Sequence, residues 1–244
     1  MSAADLHIAL LDETVGMNGN GRIAVAAHHA AFLHRNQTRA NRGTLDRTPY
    51  VEHPLRNALR LVRWGVRDVE VIIAAILHDV VEDCAPHIAA HFLGHSPTTV
   101  PHHQLRAAAL GWIADVHGVQ VASLVEAVSM PALPRDITPE WRRLLYAAHV
   151  DEAVSGNAAV LLLKFSDYVD NALGLHHNNV PANRRMVTKL ARKYLPLSGT
   201  FVREITTNRD LAGMVSEHGY AEITRQALAA EPRLRALLEQ LAAA

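Results

Sequence analysis

The stretch Ala74-Ala75-Ile76-Leu77-His78-Asp79-Val80-Val81-Glu82-Asp83 decides the fold, because it sets charged side chains inside a strongly apolar segment. Residues 71–81 are too apolar for a surface helix, so they predict a helix buried at the centre of a helical domain. Asp68 is the predicted N-cap, and we expect the helix to continue through the quoted stretch. Burying an uncompensated charge is costly, so His78 and Asp79 become candidates for chemistry.

Helical patterns recur on both sides of this segment. Aromatic residues are scarce, at 5% of the chain, and alternating strand patterns are hard to find, which together favour an all-α fold. Polar and turn-forming residues predict a surface loop from Asn36 to Pro49. The predicted helices span Ile23–Leu33, Pro54–Trp64, His103–His117, Val119–Val128, Pro139–Ser155, Asn157–Leu175 and Asn183–Tyr194, with two or three more after Gly199 and Pro232 in a first turn.

The 244 residues are enough for one well-cored domain with a small appendage. Met17-Asn18-Gly19-Asn20-Gly21 is a turn-forming stretch that ends the first part of the chain. We therefore expect an N-terminal segment over residues 1–20, a main helical domain over 21–195 and a short C-terminal helical extension over 196–244.

Composition limits the partners. Lys plus Arg and Asp plus Glu number 24 each, so no global field favours duplex nucleic acid, although a local basic pocket can bind a small anion. Cys84 is the only cysteine, which excludes an intrachain disulfide framework and fits a reducing cytoplasm. No N-terminal secretory pattern occurs, and the apolar runs fall short of the roughly 20 residues that span a bilayer.

Four ionisable residues lie within six positions of the central stretch. His78 and Glu82 are four residues apart, as are Asp79 and Asp83, so each pair lies one helical turn apart. An ordinary helix end emerging into water is the alternative reading. The apolar context favours a metal site, in which some of these groups bind a cation and others handle water and protons.

His53 and Asp167 are further candidate ligands. His53 precedes a proline at a predicted helix start, and Asp167 interrupts an apolar helix. Taken singly, His53 is better explained as a cap or surface residue, and Asp167 can simply pair with Lys164. Together with His78 and Asp79 they supply two nitrogens and two carboxylates, which suit manganese, iron or zinc.

Three blocks in the sequence resemble the signature motifs of RelA/SpoT-type alarmone hydrolases, which belong to the HD superfamily of helical phosphohydrolases. The blocks run from Thr48 to Leu55, from Ala74 to Asp83 and from Lys164 to Asn171, and their order and spacing match the family's. His34 to Arg39 resembles the family's basic nucleotide-contacting segment. The resemblance covers about residues 22–178.

The resemblance implies an HD-type helical bundle that removes the 3′-pyrophosphate from guanosine alarmones such as ppGpp and pppGpp. It implies that Glu82 and Asp83 position or deprotonate the attacking water and help protonate the leaving group. The residues that it assigns as ligands of one manganese ion are His53, His78, Asp79 and Asp167.

The sequence departs from the family's pattern more at the residues that contact substrate than at those that bind metal. We expect Arg39 and Asn171 to line the nucleotide site. Ala40 stands where the family commonly has a second basic residue, and Gly174 stands where a polar residue is expected. The loop from Arg42 to Thr48 is longer than in compact members of the family.

Three alternatives stay open. A two-metal HD enzyme would draw extra ligands from His87, His91, His102 or His103. A nucleotide phosphohydrolase of broader range would use the same metal chemistry. A noncatalytic module that senses an alarmone or neutralises a toxin would give no reason to keep the Glu82-Asp83 pair. The expected partner is a small guanosine nucleotide, with no membrane, and the sequence leaves open whether the protein forms a homo-oligomer.

Overall fold

The structure of the protein is a computed structural model that describes residues 1–40, 43–96, 98, 100–134 and 136–243. The all-α prediction is confirmed: within these residues the only strands are the two-residue pair β1 (Thr38–Arg39) and β2 (Thr48–Pro49). The chain divides into two compact units. The first unit is Met1–Gln37, Pro49–Val62 and Val66–Pro134, and the second is Thr38–Thr48, Arg63–Gly65 and Arg135–Ala244.

The first unit is built around one very apolar helix. Helix α4 buries every residue except Glu70, and Asp68 caps it by accepting hydrogen bonds from the amides of Glu70 and Val71, as predicted. Helices α2 and α8 pack against α4. The helices of this unit are α1 (Ala3–Glu13), α2 (Asn20–Leu33), α3 (Glu52–Arg63), α4 (Val69–Leu77), α5 (Val80–Asp83), α6 (Ala85–Phe92), α7 (His102–His117) and α8 (Val119–Val128).

The predicted continuous helix is interrupted. Helix α4 ends at Leu77, His78 and Asp79 form a turn, and α5 begins at Val80. The His78 ring contributes to this ending, because its Nδ1 lies 2.8 Å from the carbonyl oxygen of Ala75 in the last turn of α4. The turn brings two ionisable side chains to the end of a buried helix, where their polar atoms have partners.

Two parts of the N-terminal region differ from prediction. Residues 3–13 form helix α1, which sequence reasoning left without structure, and Ser2 and Asp5 make a capping box at its start. The region from Asn36 to Pro49 holds strands β1 and β2 as well as loop. Asn41 and Arg42 in that predicted loop lie outside the described residues.

The second unit has its own core. Helix α10 buries every residue except Ala159 and packs against α9, α12 and α13. Pro139 begins α9 as predicted. The predicted helix to Leu175 leaves the α-helical path after Tyr168. The elements of this unit are α9 (Pro139–Val154), α10 (Ala158–Tyr168), a π-helical segment (Val169–Leu173), short 3₁₀ turns (Leu175–Asn178 and Pro181–Asn183), α11 (Arg184–Tyr194), α12 (Leu197–Thr207), α13 (Leu211–Met214) and α14 (Glu217–Ala243).

The prediction that Pro232 lies in a first turn is wrong, because α14 runs through it. A proline inside a helix leaves the carbonyl four residues earlier without its usual donor, here that of Leu228, a residue that is 58% exposed. The buried stripe of α14 continues on both sides of the proline, from Ile223 to Leu241. Burial of this stripe outweighs the local cost of the proline.

Close backbone contact fixes the start of α14. The Ser216 amide donates to the Trp64 carbonyl oxygen at 2.9 Å. A Cβ at Gly219 would lie 1.8 Å from that same oxygen, so only glycine fits. None of the described helices combines the length and the apolar character needed to cross a membrane.

Candidate metal and nucleotide site

Three predicted metal ligands meet in the first unit. His53 lies in the first turn of α3, and His78 and Asp79 form the turn after α4. Asp79 Oδ2 lies 3.1 Å from His78 Nε2 and 3.5 Å from His53 Nε2. The two imidazole ring centroids are 5.1 Å apart. Residues 25 positions apart in sequence therefore direct two nitrogens at one carboxylate oxygen.

The hydrogen bonding of His78 determines which of its ring nitrogens can bind a metal ion. A carbonyl oxygen only accepts hydrogen bonds, so His78 Nδ1, at 2.8 Å from the Ala75 oxygen, carries a proton. In the neutral ring, Nε2 then presents a lone pair to Asp79 Oδ2. A lone pair and a carboxylate oxygen 3.1 Å apart repel unless a proton or a cation lies between them. The donor set therefore fits a divalent metal ion, with the Ala75 carbonyl orienting the ligand ring.

Tyr50 also contacts this carboxylate. Its phenolic hydroxyl donates to Asp79 Oδ2 at 2.7 Å. The Tyr50 ring stacks on His34 with ring centroids 4.7 Å apart and meets His53 edge-on at 5.8 Å. Sequence reasoning did not single out Tyr50, although it lies three residues before His53 in the same motif.

Glu82 has a structural partner that its sequence position does not reveal. Its Oε1 accepts a hydrogen bond from the Met130 amide at 2.7 Å, and Arg106 donates to the Met130 carbonyl at 2.9 Å. The end of α8 is thereby held beside α5. Glu82 thus has one carboxylate oxygen held by a backbone amide.

Asp83 has a carboxyl group that holds a proton unusually well. Partial withdrawal from water raises its pKa to about 6, and the negative charges of Asp79 and Glu82 act in the same direction. Tyr50 opposes them by hydrogen bonding, which lowers the pKa. A carboxyl group with a pKa near neutrality can both release and take up a proton at physiological pH.

The residue after Asp83 is a cysteine with a packing role. Cys84 is fully buried and donates towards the Leu33 carbonyl at 3.6 Å. Burial raises the pKa of its thiol to about 12, so it serves as a small packed side chain without thiolate chemistry.

The remaining site candidates lie in the second unit. Asn171, in the π-helical segment, donates through Nδ2 to Asp167 Oδ1 at 2.6 Å. Arg39, in β1, donates to Asn171 Oδ1 at 2.5 Å and pairs with Asp170 at 3.5 Å. The structure thus joins both predicted nucleotide-contacting residues to the predicted ligand Asp167. Asp170 was not singled out, although it lies in the same motif.

Burial distinguishes the possible ligands. His53, His78 and Asp167 each offer a ligand atom from a buried side chain, whereas the Asp79 side chain is 21% exposed. The additional histidines of the two-metal alternative lie differently. His91 Nε2 is 3.1 Å from an Arg35 guanidinium nitrogen, and His102 and His103 are exposed. An arginine next to a ring nitrogen opposes cation binding there.

Comparison with known proteins gives a consistent set of relatives. No protein-family model matches the chain. It is 29% identical over 153 residues to the guanosine-3′,5′-bis(diphosphate) 3′-pyrophosphohydrolase of Aquifex aeolicus, covering 62% of this chain but 18% of that protein. It is 31% identical over 156 residues to the human guanosine-3′,5′-bis(diphosphate) 3′-pyrophosphohydrolase MESH1, covering 62% of this chain and 68% of MESH1. The chain thus spans less than a fifth of the Aquifex relative and about two thirds of the human one.

Proposed function

The chain belongs to the family of guanosine-3′,5′-bis(diphosphate) 3′-pyrophosphohydrolases, and we propose that it removes the 3′-pyrophosphate from guanosine alarmones with the help of one divalent metal ion. The observation that carries this proposal is the pairing of His78 Nε2 with Asp79 Oδ2 at 3.1 Å, an arrangement that a cation stabilises. The pyrophosphohydrolase activity for which these relatives are named supports the choice of reaction.

The proposed ligands are His53, His78, Asp79 and Asp167. Two imidazoles and two carboxylates suit manganese, iron or zinc, and the family resemblance implies manganese. When bound, the ion supplies positive charge that stabilises the negative charge developing on the transferred phosphoryl oxygens. The protein's contribution is orientation: the Ala75 carbonyl fixes the His78 ring, and Asn171 fixes the Asp167 carboxylate.

Glu82 and Asp83 are the proposed proton-transfer pair. Glu82, oriented by the Met130 amide at its Oε1, is the proposed acceptor of a proton from the attacking water. Asp83, with a pKa of about 6, can give a proton to the departing oxygen and recover it afterwards. The Met130 hydrogen bond keeps Glu82 from rotating freely, which favours a fixed direction of proton transfer.

Arg39 and Asn171 are the proposed nucleotide contacts. The guanidinium of Arg39 can form charge-assisted hydrogen bonds to phosphate. Asp170, 3.5 Å from Arg39, compensates part of this charge before substrate arrives. Since Ala40 supplies no second cation, we expect binding to depend strongly on Arg39. We place the reaction in the cytoplasm, where guanosine nucleotides are available and a lone thiol stays reduced.

Product analysis tests the proposal. Protein loaded with Mn²⁺ is incubated separately with ppGpp, pppGpp, GTP and dGTP, and the products are resolved by ion-exchange chromatography. We expect pyrophosphate with GDP from ppGpp and with GTP from pppGpp, and no turnover of GTP or dGTP. Comparable hydrolysis of GTP or dGTP identifies a broader nucleotide phosphohydrolase. Tight alarmone binding without products identifies a noncatalytic module.

A further inference from the structure

We propose that Tyr50 is a positioning residue that holds the Asp79 carboxylate in its metal-binding orientation and thereby sets the affinity for the metal ion. This inference rests on the metal site of the proposed function and adds a residue to it. The phenolic hydroxyl lies 2.7 Å from Asp79 Oδ2. That oxygen is the one that faces His78 Nε2 and His53 Nε2.

The direction of this hydrogen bond follows from its chemistry. An ionised carboxylate only accepts, so the Tyr50 hydroxyl is the donor. A hydroxyl donating to a carboxylate forms a charge-assisted bond, about twice as strong as a neutral one. Asp79 lies in a turn, and its side chain is 21% exposed. A partly exposed side chain in a turn has few packing contacts to fix its rotamer, so a hydrogen-bond donor from another element can select one orientation.

Tyr50 is itself held in place from two sides. Its backbone amide donates to the Gln37 carbonyl at 3.0 Å, and its ring stacks on His34 at a tilt of 27°. His34 is 2% exposed, and its Nδ1 is bonded to Gln37 Oε1 at 2.6 Å. Because Gln37 fixes both the tyrosine backbone and the histidine ring, the hydroxyl has little freedom to leave Asp79.

The same hydroxyl also affects the neighbouring carboxyl group. Hydrogen bonding to Tyr50 lowers the pKa of Asp83, against the burial and the charges that raise it. A packing role for Tyr50 would need only its ring. The hydrogen bond from the hydroxyl to the proposed ligand Asp79, together with its effect on Asp83, indicates that the oxygen of Tyr50 matters.

Removing this one oxygen tests the inference. In Tyr50→Phe the ring can still stack on His34, so we expect the fold to persist, as checked by circular dichroism and thermal melting. Isothermal titration with Mn²⁺ should show about 10- to 100-fold weaker binding, the usual loss when a partner of a metal ligand is removed. Turnover should fall at limiting Mn²⁺ and largely recover at saturating Mn²⁺, which damage to the fold would not allow.

Two further variants control the experiment. Tyr220→Phe also removes a hydroxyl, one that donates to the Ile205 carbonyl at 3.1 Å in the second unit, and should bind Mn²⁺ like the parent. His34→Ala keeps the Tyr50 hydroxyl but removes its stacking partner, so a smaller loss of affinity is expected. Parental Mn²⁺ affinity in Tyr50→Phe overturns the inference. Failure of the parent itself to bind Mn²⁺ overturns the proposed metal site instead.

Discussion

Two polar clusters of the molecule differ in how their donors and acceptors are paired. In the first unit, His78 Nε2 lies 3.1 Å from Asp79 Oδ2. When the neutral ring carries its proton on Nδ1 and donates it to the Ala75 carbonyl, both of these atoms are acceptors. In the second unit, Asn171 places a donor against Asp167 Oδ1 and an acceptor against Arg39. The first cluster sets a ring nitrogen against a carboxylate oxygen that already accepts from Tyr50, whereas the second pairs each acceptor with a donor.

The difference indicates separate tasks for Asp79 in the first cluster and Arg39 in the second. A cluster of acceptors is stable when a cation neutralises it, so its geometry has meaning mainly with metal bound. A cluster with matched donors is stable by itself and can present Arg39 to a ligand in a fixed direction. Substitutions in the first cluster should therefore change metal binding and chemistry, and substitutions of Arg39 should change substrate binding.

The largest expected effect comes from Asp79→Asn. An amide keeps the size of the side chain but removes the negative charge and presents a donor to the histidines. We expect Mn²⁺ affinity to fall by more than the ~10- to 100-fold typical of residues that only contact a ligand, and alarmone turnover to fall with it. Metal content by mass spectrometry measures this directly. Asp115→Asn, at an exposed position of α7, is the matched control; parental metal content in Asp79→Asn would remove Asp79 from the site.

Glu82→Gln should separate chemistry from metal binding. The glutamine oxygen can still accept from the Met130 amide, so the contact between α5 and the end of α8 survives. Loss of the proton-accepting carboxylate should reduce turnover on the order of 10²–10⁴, with metal retained. Turnover equal to that of the parent would make Glu82 structural, and loss of metal would make it a ligand.

The sequence predicted the helices better than their interruptions. Pattern and caps located α8 and α9 closely, because an apolar stripe and a proline at a first turn are local signals. The turn at His78 and Asp79 was not predicted, since it depends on hydrogen bonds at the end of α4 that no periodicity encodes. Pro232 was misplaced because burial along α14 overrides a local preference.

The candidate site was predicted at the level of residue types. Histidine and aspartate inside apolar sequence pointed to His53, His78, Asp79 and Asp167 as ligands, a role that stays a prediction. The partners of these residues were missed for a physical reason. Tyr50 and the Met130 amide act through contacts 29 and 48 residues apart, which a single sequence does not reveal.

Arg39→Ala tests the task of the second cluster. The guanidinium bonds to Asn171 and pairs with Asp170, and we propose that it also meets the substrate. A charge-assisted hydrogen bond is worth about 1.5–3 kcal/mol, so KM should rise roughly 10- to 100-fold with kcat and Mn²⁺ affinity little changed. Steady-state kinetics against Arg209→Ala, an exposed arginine of the same unit, checks this. Unchanged KM would exclude Arg39 from the nucleotide site.

A second contact between side chains in the first unit, that of His29 with His117, differs from the His78–Asp79 contact because it needs no cation. His29 Nδ1 and His117 Nε2 lie 3.0 Å apart, a contact that one shared proton between neutral rings explains. Burial, then the charges of His29 and Arg22, lower the pKa of His117 to about 4 from its ordinary 6.5. A lowered histidine pKa stabilises the fold above pH 6.5, and this contribution is lost as the pH falls from 6.5 towards 4.

His117→Gln should therefore flatten the acid side of the stability profile. At pH 5 the contribution lost from the parent is about 2 kcal/mol. Between pH 7 and pH 5 the free energy of unfolding should therefore fall further in the parent than in the variant, by up to about 2 kcal/mol. Urea unfolding at both pH values measures it, with His102→Gln at an exposed position as control. Mn²⁺ affinity should stay parental in His117→Gln. An equal pH dependence of stability in parent and variant would contradict the conclusion that the lowered pKa of His117 destabilises the fold in acid.

A metal titration coupled to turnover tests whether one divalent metal ion per chain supports the removal of pyrophosphate. Protein freed of metal with a chelator is titrated with Mn²⁺ while pyrophosphate release from ppGpp is followed. The account predicts negligible release without metal, and activity that rises linearly and stops at one ion per chain, with GDP as the other product. Full turnover in the chelated protein, or activity that needs two ions per chain, would contradict it.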